Sequence, residues 1–387
     1  MRKKILILPS WYPNESDAIS GVFIQEQALA LAKEYDVAVL VPGMAAWRNV
    51  GNPHAADKST KEYQAGLPVY REFARPFIPH GPEPATYHTF QRAAHNGFKK
   101  LLKEWGRPDV IHAHVVLPGG WSALNVGRSY SIPIVLTEHS GPFSMHLRTK
   151  LQRRLVRETL LNVGRIVAVS PSLAQQILAF EQGVGISVAG ELVRTDFFIT
   201  SSNGAKVAKP ATRFLFTGRL SEEKGVNHLL EAIYVLVQRG IGSFELVVAG
   251  DGPDRAKLEQ ITRSRGIADK CRFIGFLDRQ QVRSWMQNSD FFILPSLHET
   301  FGIVLGEAMA CGKPVIATRC GGPEFVVTDE TGILVEVGSA EALADAMTEV
   351  ISNSLRFDPA AVRASVVSRF GEEAFLRNIS AVYEELW

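Results

Sequence analysis

Phe291-Phe292-Ile293-Leu294-Pro295-Ser296-Leu297-His298-Glu299-Thr300-Phe301-Gly302-Ile303-Val304-Leu305-Gly306-Glu307-Ala308-Met309-Ala310-Cys311-Gly312 contains one complete unit of the architecture. Phe291–Leu294 has the apolar content and length of a buried strand. Pro295-Ser296 ends it, a short polar loop follows, and Gly302–Cys311 reads as a helix. This order is the building unit of a parallel sheet covered on both faces. It sets Phe301–Val304 at a helix N-terminus, where unpaired N–H groups and the helix dipole favour phosphate. Glu299 falls in the loop and Glu307 more than a turn inside the helix, so the two carboxylates can flank one ligand. A carboxylate there can accept hydrogen bonds from a ribose diol. Glu307 lies among Val304, Leu305, Ala308 and Met309, which argues against simple solvation.

The same unit recurs on both sides. Strands are expected at Arg213–Thr217, Glu245–Ala249, Arg272–Ile274, Pro314–Ala317 and Gly332–Val335. Helices are expected at Val226–Arg239, Arg255–Arg265, Arg279–Gln287 and Ala340–Val350. Ligands of such doubly wound sheets sit beyond the carboxyl ends of the strands. Gly218-Arg219-Leu220-Ser221-Glu222-Glu223-Lys224-Gly225 follows directly after one of those strands. Arg219 and Lys224, five apart across a turn, can both reach a diphosphate. Ala249-Gly250-Asp251-Gly252-Pro253 ends the next strand; alone it signals a turn.

The first half has the same rhythm, with strands at Ile5–Leu8, Val37–Val41, Val110–His112, Ile134–Thr137 and Ile166–Val169 and a helix around Phe23–Lys33. Residues 43–90 interrupt it with ten Pro and Gly residues, which predicts long surface loops with some strand near Val69–Phe73. Residues 199–211 are small and polar and read as a linker. The expected division is therefore 1–198, a linker at 199–211, 212–369, and an amphipathic terminal helix at 370–387. Two doubly wound α/β domains would face each other across a cleft, and the terminal helix could cross back to the first domain.

The 387 residues, 46% hydrophobic and 21% charged, suit two globular cores. No run approaches the ~20 apolar residues of a membrane span. Arg2-Lys3-Lys4 before Ile5–Leu8 suggests a secretory leader, but the apolar run stops at Pro9 and reads better as a buried strand. Cys271, Cys311 and Cys320 form no CxxC or Cys/His ligand pattern, which suits a reducing cytoplasm. Residues 1–190 hold 21 Lys+Arg and 14 Asp+Glu, a balance of +7; the remainder, with 21 and 26, balances at −5. The first half is thus expected to meet an anionic partner. His112 and His114 point to one face of a strand, but two histidines without a third ligand do not make a metal site.

These motifs resemble the retaining glycosyltransferases of the GT-B fold, specifically the group 1 (family 4) class, over nearly the whole chain. The most specific mark is Glu299 and Glu307 separated by seven residues. The resemblance implies that Arg219 and Lys224 bind the diphosphate of a UDP- or GDP-sugar, Glu307 the ribose, and Glu299 the donor sugar. Backbone amides at Phe301, Gly302 and Ile303 would meet phosphate and sugar. Gly21, in Ser20-Gly21-Val22-Phe23, stands where the family has a glycine-bearing loop under the diphosphate, although the usual paired glycines are missing. His139, in Thr137-Glu138-His139-Ser140-Gly141, corresponds to the histidine that approaches the donor sugar near the reacting centre. Where the family has Pro-Asn-Gly-Val, this chain has Ala189-Gly190-Glu191-Leu192.

The implied reaction is sugar transfer to an acceptor hydroxyl, with His139, Glu299, Arg219 and Lys224 as the catalytic set. No Asp-x-Asp occurs in the chain, so no metal and no cofactor is expected, and leaving-group charge would fall to Arg219, Lys224 and the helix N-terminus. The rivals are a nucleotide-sugar epimerase or hydrolase of the same fold, and a non-catalytic sugar-nucleotide-binding subunit. A dinucleotide enzyme fits less well, because Gly-x-Gly-x-x-Gly is missing after Ile5–Leu8. Met145–Leu161 carries Arg148, Lys150, Arg153, Arg154 and Arg157 among leucines. With Lys99, Lys100 and Lys103 it suggests peripheral binding at the inner, cytoplasmic face of a membrane. The acceptor would then be a saccharide or lipid-linked precursor of a cell-surface polysaccharide. No nucleic-acid partner is expected.

Overall fold

The computed structural model describes residues 2–15, 17, 19–45, 59–76, 83–201, 211–353 and 356–387. The chain divides into two compact units. One comprises Met1–Leu192 and Leu376–Trp387; the other is Val193–Phe375.

In the first unit the chain runs through β1 (Lys4–Pro9), α1 (Val22–Leu31), β2 (Asp36–Met44), β3 (Thr60–Gln64), β4 (Leu67–Ala74) and α2 (Glu83–Glu104). It continues through β5 (Val110–His114), α3 (Trp121–Tyr130), β6 (Ile134–Glu138), α4 (Lys150–Asn162), β7 (Arg165–Ala168), α5 (Pro171–Phe180) and β8 (Ile186–Val188). The sheet order is β3-β4-β2-β1-β5-β6-β7-β8. All pairings are parallel except β3 with β4. Ile5–Leu8 are fully buried, as expected of a strand flanked on both sides and covered on both faces. Strand order reverses between β1 and β5, which opens a crevice at their carboxyl ends.

The second unit holds β9 (Thr212–Thr217), α6 (Val226–Gln238), β10 (Phe244–Ala249), α7 (Arg255–Ser264), β11 (Cys271–Gly275) and α8 (Arg279–Asn288). Then come β12 (Phe291–Leu294), α9 (Ile303–Ala310), β13 (Val315–Thr318), α10 (Pro323–Val326), β14 (Gly332–Val335), α11 (Ala340–Ser352) and α12 (Pro359–Phe370). Its sheet is wholly parallel, in the order β11-β10-β9-β12-β13-β14. Here the order reverses between β9 and β12, whose following loops carry Arg219–Lys224 and Glu299.

Three expectations change. The linker region 199–211 falls mostly outside the described residues, and the division comes earlier, at Leu192/Val193. Val193–Ile199 packs with the second unit: Val193 N donates to Phe370 O at 2.9 Å, and Arg363 donates to Phe198 O and Thr195 O at 2.8 Å. The terminal helix does not begin at 370. α12 ends there, Gly371 interrupts, and α13 (Glu372–Glu384) begins anew. From Leu376 onward the chain belongs to the first unit, where Tyr35 bonds Ser380 and His112 bonds Tyr383, each at 2.7 Å. Finally, residues 43–90 are less loop than their Pro and Gly suggested. β3, β4 and the start of α2 occupy the described part, and 46–58 and 77–82 lie outside it.

Candidate active site

In the second unit, three glycines let backbone segments approach where a Cβ could not fit. A Cβ on Gly250 would lie 1.9 Å from Gly218 O, and one on Gly252 2.3 Å from Leu220 O. The Gly250–Pro253 turn therefore rests directly on the Arg219 loop, held by Leu220 N to Asp251 O at 2.9 Å. Gly225, at φ 65°, would place a Cβ 2.0 Å from Pro295 O. That contact and Leu297 N to Glu223 O at 2.8 Å clamp the loop after β9 to the loop after β12.

The clamp brings Lys224 Nζ to 2.7 Å from Glu299 Oε1, which also accepts from Ser296 Oγ at 2.9 Å. The Glu299 backbone is fixed in turn, its carbonyl accepting from Gly322 N at 2.9 Å. Arg219 is exposed, and its side chain makes no hydrogen bond or ion pair among the described residues. α9 starts at Gly302, in the left-handed conformation at φ 81°, and no side chain caps it. Its first N–H groups are therefore available to an anion. Phe301 is core rather than lining. Its ring is buried edge-on against Phe325 and Phe370, so only its backbone can serve a ligand.

Glu307 meets a partner that the sequence did not reveal: Arg279, at the start of α8, donates from Nη2 to Glu307 Oε1 at 3.3 Å. The Arg279 guanidinium also lies over Phe197 and Phe198, 5.6 and 5.4 Å from the ring centroids. A capping box made by Asp278 and Gln281 fixes that end of α8.

In the first unit, Gly21 (φ 76°) precedes α1, and a Cβ there would lie 2.7 Å from Trp11 O. Phe23, in the first turn of α1, packs its ring 4.9 Å from that of His139. His139 donates from Nδ1 to Glu191 Oε1 at 2.6 Å, and its Nε2 lies 2.8 Å from His114 Nδ1. His114 stacks on both His112 and His139, and its Nε2 is buried with no partner among the described residues. His112 bonds Tyr383 and Thr137, each at 2.7 Å, so the histidine pair joins a buried hydrogen-bonded network. Burial drives the His112 pKa down to about 3, with His139 a secondary cause, and pushes His114 well below its ordinary value.

Glu138 is buried as well. Its carboxylate accepts from Val116 N at 2.7 Å, His139 N at 3.0 Å and Ser140 N at 2.8 Å. It organises the loop that carries His139, with no feature of the sequence to separate it from a solvated acid.

Residues 200–365 match the family described as Glycosyl transferases group 1, and residues 20–183 match Glycosyltransferase Family 4. The chain is 31% identical, over 89% of its length and 88% of the relative's, to TuaC of Bacillus subtilis (strain 168), named provisionally as a teichuronic acid biosynthesis glycosyltransferase. This chain belongs to the group 1 glycosyltransferases. The sucrose-phosphate synthase of Thermosynechococcus elongatus superposes on this glycosyltransferase with a TM-score of 0.79, at 22% identity, covering 100% of this chain and 99% of the other. HepE of Anabaena, solved with UDP, gives 0.75 at 18% identity over 99% of both chains. The fold is GT-B. Within the second unit of this glycosyltransferase, Arg219, Lys224, Glu299 and the α9 N-terminus share one sheet edge, and Arg279 pairs with Glu307 on α9. Gly21 and His139 share an edge of the first unit.

Proposed function

We propose that this glycosyltransferase moves a sugar from a UDP- or GDP-sugar to an acceptor hydroxyl with retention of anomeric configuration. The observation that carries this reading is the Lys224–Glu299 pair, 2.7 Å apart, beside the uncapped N-terminus of α9. Such an arrangement offers a cation and helix N–H groups to a diphosphate, next to a carboxylate for sugar hydroxyls. In this reading Arg219 and Lys224 hold the diphosphate, Glu307 the ribose and Glu299 the donor sugar. Backbone amides of Phe301–Ile303 complete the donor site, and Gly21 and His139 contribute from the first unit. UDP in the HepE structure supports a nucleotide donor.

The acceptor oxygen attacks on the face from which the diphosphate departs. The leaving phosphate takes the acceptor proton, while Arg219 and Lys224 stabilise the charge developing on it. Loss of one such contact typically costs ~2.7–4 kcal/mol, or ~10²–10³ in rate. With cations and helix N–H groups in that role, and no Asp-x-Asp in the chain, transfer proceeds without a divalent metal.

The acceptor we infer is a lipid-linked or saccharide precursor of a cell-surface polysaccharide, reached at the cytoplasmic face of a membrane. The name of TuaC and the exposed basic face of α4 support it.

The test is thermal denaturation with a panel of UDP-, GDP- and ADP-sugars, followed by transfer assays in EDTA. One donor should raise the melting temperature, since saturation at a hundredfold over Kd stabilises by about 2.7 kcal/mol. Activity should survive EDTA; loss restored by Mg²⁺ or Mn²⁺ would overturn the metal-free reading. Consumption of donor at the same rate without any acceptor would favour a hydrolase or epimerase instead.

A further inference from the structure

We propose that Glu191 is a positioning residue: its buried carboxylate fixes His139, and through it His114, in a single tautomer at the carboxyl end of the first sheet. The inference rests on the reading of His139 as part of the donor site.

The geometry is closed on every side. Glu191 is only 6% exposed, and a buried carboxylate persists as an anion only when donors satisfy both oxygens. Two do: His139 Nδ1 at 2.6 Å from Oε1, and Gln27 Nε2 at 2.6 Å from Oε2. Gln27 is itself buried on α1, the helix that begins beside Gly21.

A carboxylate accepts only, so the Nδ1 of His139 must carry a proton, and in the neutral ring that leaves a lone pair at Nε2. His114 Nδ1, 2.8 Å from that lone pair, must then be the donor. That leaves His114 Nε2 as an acceptor, and it has no hydrogen-bond partner among the described residues. An unpaired lone pair is a lesser burden in the interior than an unpaired N–H. Burial keeps His114 neutral, which is consistent with this proton order.

Ring packing removes the remaining freedom. Phe23 lies against His139 at 4.9 Å, and the His139 and His114 rings stack at 5.1 Å and 16°. A sugar hydroxyl approaching His139 therefore meets Nε2 as an acceptor, in competition with His114. This also gives the departure at Ala189–Leu192 a physical role. Glu191 stands 52 residues from His139 in the chain and supplies the charge that sets its tautomer.

The experiment uses the full-length protein with ring-¹⁵N histidine, and compares wild type, Glu191→Gln, Glu191→Leu and His139→Ala. Long-range ¹H–¹⁵N spectra report which ring nitrogen carries the proton, and His139→Ala assigns the signal. Wild type and Glu191→Gln, whose amide oxygen still accepts, should show His139 protonated on Nδ1. Glu191→Leu should show Nε2–H or a mixture. In transfer assays Glu191→Leu should lose about 10–100-fold in kcat with donor KM within about twofold, and Glu191→Gln should recover most of that loss.

Nε2 protonation of His139 in the wild type overturns the proposal, whatever the variants do and whether or not the leucine variant folds. An unchanged tautomer in Glu191→Leu also overturns it. A wild-type rate for His139→Ala, with Nδ1 protonation of His139 confirmed in the wild type, places the failure in the donor-site reading of His139 and leaves Glu191 nothing to position.

Discussion

Lys224 and Glu299 stand 75 residues apart in the chain and 2.7 Å apart in space. Each was visible in the sequence because a motif surrounded it. Glu299 and Glu307 flank a helix start, and Lys224 closes a turn after a strand. Their pairing was not visible, because it depends on Gly225 letting two loops touch. Arg279 and Glu191 were not singled out by chemistry, since their partners lie 28 and 52 residues away and no local spacing links them; Glu138 bonds its neighbours His139 and Ser140, but the tie to Val116, 22 residues away, leaves no mark in the sequence. The Arg279–Glu307 contact leads to a prediction. Arg279→Ala should raise donor KM about five- to tenfold with kcat within about twofold, because an arginine that orients the carboxylate proposed to hold the ribose would support ground state and transition state alike. Glu307→Ala should weaken nucleotide binding in the same way, whereas Glu299→Ala should lower kcat. Steady-state kinetics and titration calorimetry with the free nucleotide separate these outcomes. Equal turnover and affinity in all three variants would remove both carboxylates from the donor site.

At the scale of elements, strands written as apolar runs were legible to within one to three residues at their ends. β3 and β8 were not. Thr60-Lys61-Glu62-Tyr63-Gln64 is polar because it forms a sheet edge with mostly exposed side chains, and Ile186–Val188 is too short to stand out. The loop between β9 and α6 offers a stability test. Gly225→Ala adds a Cβ 2.0 Å from Pro295 O at a positive φ, so the two loops must part. A loss of about 2–4 kcal/mol is expected in urea unfolding, together with weaker donor binding. Wild-type values for both would show that the clamp does not shape the site.

α4 gives another prediction. It buries Leu155, Val156, Thr159 and Leu160, while Lys150, Arg153 and Arg154 on it and Arg148 just before it are exposed without an ion pair among the described residues. Met145 and Leu161 are exposed nearby, and no helix among the described residues is long and apolar enough to cross a membrane. Four cations at ~1 kcal/mol each suffice for salt-sensitive attachment to anionic lipid. Co-sedimentation with liposomes should rise with anionic content and fall with salt. The quadruple replacement of those cations by Gln should abolish it; equal binding of wild type and variant would exclude α4 as the contact.

At the scale of the molecule, the last helix ties the end of the chain to the buried central strand β5. Tyr383 is fully buried and bonds His112 Nδ1 at 2.7 Å, so the C-terminal helix and a histidine of the central sheet satisfy one another. Amphipathic spacing announced a terminal helix but not this partner, 271 residues away. Stability should therefore depend on acid. His112 is neutral in the folded protein, its pKa lowered to about 3 mainly by burial and secondarily by His139; His114 lies well below its ordinary value for the same first reason. In the unfolded chain both return to ~6.5. Between those limits the unfolded state binds more protons, so stability rises with pH through the window. It is fully present above ~6.5 and is lost as pH falls. At pH 5 His112 removes about 2 kcal/mol relative to pH 8, before most carboxylates begin to titrate, and His114 acts in the same direction. Urea unfolding at pH 8, 6.5 and 5 should show this slope. Tyr383→Phe, which leaves His112 Nδ1 unpaired in the interior, should cost a further ~1–3 kcal/mol at pH 8. A flat profile from pH 8 to 5 would mean that one or both histidines are already charged in the folded protein. The neutral, hydrogen-bonded network that joins the terminal helix to the central sheet would then be wrong.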